Sequence, residues 1–130
     1  MKILQPPNWP RPKGYANGVA AQGSMVFLSG VVGWNAQQEF VALDFVGQVR
    51  QALLNIVEVL KQADAKAEHI ARMTWYVIDK NEYMATAKEM GVIYREIMGR
   101  HYPAMTVVEV SGLLEDKARV EIEVTAVVPD

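Results

Sequence analysis

The chain contains no cysteine. That absence removes thiol catalysis, cysteine-ligated zinc, iron–sulfur clusters and any disulfide framework. Histidine is nearly as scarce. The two present, His69 and His101, stand far apart without a carboxylate at ligand spacing, so no metal site is expected and a surface or capping role is. Ser24, Ser29 and Ser111 are the only serines, and none sits in a G-x-S-x-G elbow. No Walker loop or dinucleotide fingerprint appears, because Gly30-Val31-Val32-Gly33 is too short and opens no helix. Apolar runs such as Met25–Leu28 and Trp75–Ile78 stop at four residues, far short of the ~20 that cross a bilayer. Positive charge is not in excess either: 13 Lys+Arg against 15 Asp+Glu give −2 at pH 7, with no basic block. Nucleic acid held by phosphate neutralisation is therefore not an expected partner. Trp34 and Tyr76 have the rings to stack on bases but lack basic neighbours. The N-terminus has no apolar segment ahead of its prolines, so the expectation is a soluble cytoplasmic protein without a membrane partner.

What is present is ordinary globular material. With 130 residues, 51% hydrophobic and 22% charged, the chain reads as a single domain over 1–130 that buries a core unaided. Residues 1–13 carry four of the six prolines and form an extended arm, in which Trp9 is expected to dock. Gly18–Ala21 and Met25–Leu28 flank Gln22-Gly23-Ser24 and read as a hairpin of two short strands. Ser29-Gly30 and Gly33 break the second strand before a polar loop through Asn35–Gln38.

Asp44 is a good N-cap for the strongest element, a helix whose Phe45, Val49, Leu53, Ile56, Leu60 and Ala63 form one apolar stripe. Ile70–Ile78 is a strand in which Met73, Trp75 and Val77 alternate with Arg72, Thr74 and Tyr76. Asn81–Met98 reads as a second helix with Met84, Ala87, Met90, Gly91 and Tyr94 inward, ended by Gly99. Two strands follow, Thr106–Val110 and Arg119–Val128. The order β-β-α-β-α-β-β predicts an α+β fold, two helices on one face of a mostly antiparallel or mixed sheet.

The candidate chemistry lies in carboxylates on the last two strands: Glu109, Glu121 and Glu123. Glu121 and Glu123, two apart, point to one face of the sheet, away from Val120, Ile122, Val124 and Ala126. Val127 shares that face, and Val107 is expected on the Glu109 side. A face mixing apolar and acidic side chains is more often buried in an oligomer than left in water, where a carboxylate suits general acid/base work. The plainer reading is a solvated face.

Met25-Val-Phe-Leu-Ser-Gly30, the helix from Asp44, Arg72–Asp79, Tyr102-Pro-Ala-Met-Thr-Val-Val-Glu-Val110 and Val120-Glu-Ile-Glu-Val-Thr-Ala-Val-Val128 together resemble the RidA (YjgF-type) family of reactive-intermediate deaminases. The resemblance runs from Tyr15 to Val128 in the same order. It implies a chorismate-mutase-like (bacillus type) subunit and a homotrimer whose sheets form a central barrel, with small-molecule clefts between subunits. It implies hydrolysis of enamines or imines to a carbonyl compound and ammonia, with no cofactor. By the same resemblance, Tyr15 positions substrate, Ser29-Gly30 is the family's Ser-Gly turn, and Glu121 orients the attacking water. Met105 and Thr106 fall in the substrate-binding stretch. The family's arginine after Pro-Ala, which clamps the substrate carboxylate, is Met105 here, and the family's helix asparagine falls near Gly91.

A thioether offers neither the charge nor the planar donor pair of a guanidinium. Losing charge-assisted bonds of ~1.5–3 kcal/mol each lowers the use of small imino acids by about 10–100-fold or more. Met105 makes that wall apolar and adaptable, suited to a larger or less charged ligand. Arg11, Lys13 and Arg100 are the candidates to replace the clamp, the first two better placed just before Tyr15. Two functions compete: an imine deaminase of altered specificity, favoured by Tyr15 and Glu121, and a non-catalytic small-molecule-binding or chaperone-like trimer, favoured by Met105. An endoribonuclease role, attached to some relatives, conflicts with the acidic balance and the missing histidine pair.

Overall fold

The computed structural model describes residues 1–130. In chain order it contains β1 (Lys2–Leu4), β2 (Gly18–Ala20), β3 (Ser24–Phe27), β4 (Val31–Val32), α1 (Phe45–Lys61), a 3-10 turn (Ala67–His69), β5 (Ile70–Val77), α2 (Lys80–Ala85), α3 (Ala87–Met98), β6 (Ala104–Glu109) and β7 (Val120–Val128). The nine-residue β7 is the spine of a mixed five-stranded sheet. β3 and β4 pair antiparallel with successive parts of one side of it, and β5 pairs antiparallel along the other. β6 runs parallel to β5 at the outer edge, which requires the crossover that α2 and α3 supply.

Burial follows the period of two. Val120, Ile122, Val124 and Ala126 of β7 are sealed, as are Met73, Trp75 and Val77 of β5. Val49, Leu53, Ile56 and Leu60 of α1 lie over them with Met90, Ile93, Tyr94 and Met98 of α3. Asp44 caps α1 as its sequence predicts, accepting from the Gly47 N–H at 3.2 Å. The opposite face of the sheet has no helix. Register places Phe27 beside Thr125 and Met25 beside Val127, leaving Phe27 71% and Met25 60% exposed.

The structure corrects three readings of the sequence. Residues 18–28 are not a hairpin: β2 pairs with β1 in the N-terminal arm, whereas β3 joins β7. Gly23, at φ +145°, makes the turn, and any side chain there would strike the Val128 carbonyl. The second helix is two. Thr86 leaves helical geometry at φ −107° and ψ 11°, and its hydroxyl donates to the Glu82 carbonyl at 2.8 Å, competing with the helix ladder. Met84 consequently faces outward, 70% exposed, and Ala87, expected inward, is exposed as well; Met90 and Tyr94 of that stripe are buried and Gly91 half-buried. Trp9 does not dock in the chain and stays 58% exposed. Gly99 ends α3 at φ +73°, as expected of a C-terminal glycine.

One buried polar side chain fastens α1 to the approach of β7. Gln48 is wholly buried; its amide donates to the carbonyls of Ala42 (3.2 Å) and Lys117 (2.9 Å) and accepts from the Arg119 N–H (2.7 Å). Gln48→Leu would leave these backbone groups unpaired. The expected loss is about 3 kcal/mol, read as a lower urea midpoint with unchanged slope.

Candidate functional site

On the helix side, the backbone carries Tyr15 to Met105. Ala16 donates its N–H to the Pro103 carbonyl at 2.9 Å and bridges in parallel to Ala104 at the start of β6. Tyr15 and Met105 thus line one cavity of about 450 Å³ between the 13–15 segment, β5, β6 and the α2–α3 layer. Its wall is mainly apolar and carries five aromatic side chains, Tyr15, Trp75, Tyr83, Tyr94 and Tyr102. Tyr94 and Tyr102 stack with centroids 5.4 Å apart, and the Tyr94 hydroxyl donates to the His101 carbonyl at 2.8 Å. Tyr83 meets Trp75 edge-on at 6.1 Å, and Trp75 has a buried Nε1–H with no partner. Burial pushes the Tyr94 phenol far above its ordinary value, with the Tyr102 charge adding to it, and burial raises Tyr83 as well.

On the helix-free face, Glu121 is half-buried and its carboxylate lies against Gly30. A side chain at position 30 would overlap that carboxylate, so the glycine leaves it room. Ser29 is exposed beside it. Glu123 is exposed on the same face, where it accepts a long 3.4 Å bond from the Tyr76 hydroxyl; its charge is the main cause of a raised Tyr76 pKa. Thr106 is exposed on this face too, in register with Thr74.

Met105 and Glu121 lie on opposite faces. Met105 is paired with buried Met73, Glu121 with Tyr76, three residues further along β5. One chain therefore brings Tyr15 to Met105, and Gly30 to Glu121, but does not bring the two pairs together. Glu109 also leaves the acidic group: its register with Val77 turns it to the helix side, where it accepts the Lys80 N–H at 2.8 Å at the start of α2.

Of the three cations Arg11, Lys13 and Arg100, Lys13 lines the Tyr15–Met105 cavity. Arg11 and Arg100 line a neighbouring one of about 800 Å³ that shares Tyr15 and Tyr102. Both histidines serve the backbone. His69 Nδ1 accepts from the Lys66 N–H at 3.0 Å, and His101 Nε2 lies 2.6 Å from the Ile70 carbonyl, which makes that nitrogen the protonated one. No group of three or more Asp, Glu or His is placed to hold a metal ion. No helix is long and apolar enough to cross a membrane. The aromatic wall was only partly legible. Tyr94 and Gly91 stand on the predicted inward stripe, whereas Trp75, Tyr83 and Tyr102 come from three other segments that only folding collects.

A sheet with helices on one face, a carboxylate against a glycine on the other, and an aromatic cavity at its edge matches a known class. Residues 9–128 match the family described as endoribonuclease L-PSP. The chain belongs to that family, whose members include the RidA (YjgF-type) proteins. It is 31% identical over 126 residues to a RutC family protein of Pasteurella multocida, covering 97% of each chain. It is 33% identical over 116 residues to the 2-iminobutanoate/2-iminopropanoate deaminase of Salmonella typhimurium, covering 87% of this chain and 86% of that one. The crystal structure of YyfB, a Rid family protein of unknown function from Yersinia pestis, superposes with a TM-score of 0.83 at 27% identity, covering 98% of each chain.

The buried Tyr94 phenol gives stability a defined alkaline limit. Its folded pKa is raised, so its contribution is complete below the unfolded value of about 10 and is lost as pH rises through the folded value. Urea unfolding above about pH 10 should show a steep fall in stability, shallower in Tyr94→Phe, which is itself destabilised at neutral pH by about 1–2 kcal/mol through loss of the bond to His101.

Proposed function

We propose that this protein is a cofactor-independent deaminase that hydrolyses an enamine or imine to a carbonyl compound and ammonia. The observation that carries the reading is the Glu121 carboxylate, half-buried in the space that Gly30 leaves for it. Membership in a family with imine deaminases supports it.

The carboxylate orients a water and takes its proton as the water oxygen attacks the imine carbon. The C=N bond becomes single as the nitrogen takes that proton from Glu121, giving a carbinolamine. Glu121 then takes the carbinolamine hydroxyl proton and passes it to the amino group, so that ammonia leaves as the C–N bond breaks and the carbonyl forms. Tyr15 positions the substrate, Ser29 and Gly30 border it, and Met105 forms the opposing wall, with Thr106 next to it on β6 turned to the Glu121 face. With Met105 where relatives of the resembling type carry a cation, specificity moves away from small imino acids.

Because the two halves of this site lie on opposite faces of the sheet, we assign the complete site to a cleft between copies. The free edge formed by β6 carries Met105 and Thr106, and the helix-free face offers apolar Phe27, Met25 and Val108 beside Glu121. A homotrimer covering that face supplies three such clefts. Light scattering behind size exclusion should give about three times 14.5 kDa; a monomer would overturn the cleft.

Ammonia release from a panel of enzymatically generated imines tests the chemistry. Met105→Arg is expected to raise hydrolysis of small imino acids by about ten-fold or more, the value of one charge-assisted contact. Adding Glu121→Gln should abolish that gain, because an amide does not accept the proton of water. All forms should keep the same mass and similar melting temperatures. No gain from a folded Met105→Arg would favour a non-catalytic binding protein, and a gain that survives Glu121→Gln would assign the base elsewhere.

A further inference from the structure

We propose that the cavity beside Tyr15 binds an aromatic acid, with the carboxylate on Lys13 and the ring in the space in front of Gly91. This deepens the deaminase reading by naming its substrate class, an aromatic 2-imino acid. It rests on that reading only for the reacting group.

Charge comes first. Lys13 is the one charged residue lining the cavity, no carboxylate lines it, and Lys13 takes part in no ion pair of the chain. A single cation at the rim of an apolar chamber favours an anion whose remainder is apolar, since the charge pair is strengthened where water is displaced. Small polar anions fit less well. At about 450 Å³ the chamber is far larger than a three-carbon acid, which would leave most of the wall without contacts.

Ring preference follows from the composition of the wall. Four of the five tyrosines in the chain line this cavity, joined by Trp75 and by the thioethers of Met90 and Met105. Aromatic faces and methionine sulfur both favour a planar ring.

Gly91 is the least expected lining residue. It stands inside α3, where glycine weakens a helix relative to alanine. Close packing does not require it, because an added Cβ would meet no heavy atom within 4 Å. What the glycine preserves is empty volume, and Ala87, one turn earlier on the same face, extends it. Gly91 and Ala87 line the cavity together with Met90 and Tyr94 of the same helix, and the ring is placed against these two small residues.

Calorimetric titration of the whole assembled protein with phenylpyruvate and with pyruvate tests this without reference to catalysis. Phenylpyruvate is expected to bind at least ten-fold more tightly than pyruvate. Lys13→Gln should weaken phenylpyruvate by about ten-fold. Gly91→Leu should weaken it by about ten-fold or more, and Gly91→Ala by less, with a melting temperature at or above that of the parent for Gly91→Ala. Equal affinity for the two acids overturns the proposal, as does no binding of either. Phenylpyruvate binding unmoved by Lys13→Gln, or by both Gly91 variants, overturns it as well. Tight, variant-sensitive binding with no ammonia from any imine would leave this inference standing and remove the deaminase reading. Ammonia from small imines without phenylpyruvate binding would do the reverse.

Discussion

The alternation of β7 is the constraint on which the rest depends. Val120, Ile122, Val124 and Ala126 are driven under α1 and α3 by their apolar surface, and that burial forces Glu121, Glu123 and Thr125 to the other side. A register slip of one residue would bury two carboxylates and expose the core, so the ladder to β5 is strongly specified. The candidate base therefore owes its place to its apolar neighbours. Gln48 adds the local condition, because its bonds to Lys117 and Arg119 fix where the strand begins.

The same two-sidedness divides the candidate site. A sheet is a wall, and side chains on opposite faces do not share a small ligand unless an edge is near. Met105 and Thr106 stand on the edge strand β6, one turned to each face. In the proposed cleft the edge meets a second copy, and the helix-free face, with Phe27 and Met25 exposed, supplies apolar surface for that contact. That proposal would join the two half-sites that one chain holds apart.

The aromatic cavity adds a second theme, stability given up for space. Gly91 weakens α3 and Trp75 keeps an unpaired donor, two local violations that an ordinary core does not carry. They occur on the wall of the same cavity, next to Tyr15 and Met105. Tyr94 shows the opposite behaviour. It lines the cavity yet is fully committed to structure through its stack on Tyr102 and its bond to His101.

Much of the fold was legible in the sequence because periodicity reports burial directly. The stripe from Phe45 to Leu60, the Asp44 cap, the alternation of Met73, Trp75 and Val77 and the two faces of residues 120–128 all appear as read, but Ala63, expected at the end of that stripe, lies exposed in the turn beyond α1. The errors fall where local pattern is weak: a three-residue strand finds the better partner at long range, Thr86 breaks a helix through a hydroxyl, and Glu109 turns with a register that belongs to β5. By itself the sequence determined the two faces of α1, β5 and β7, and through its resemblance which family they suit. Only the tertiary structure decided which segments meet: Tyr15 with Met105, Gly30 with Glu121, and four tyrosines from four segments around one cavity. Those contacts join residues distant in the chain, and nothing in local spacing encodes them until β-pairing and helix packing close the loops between.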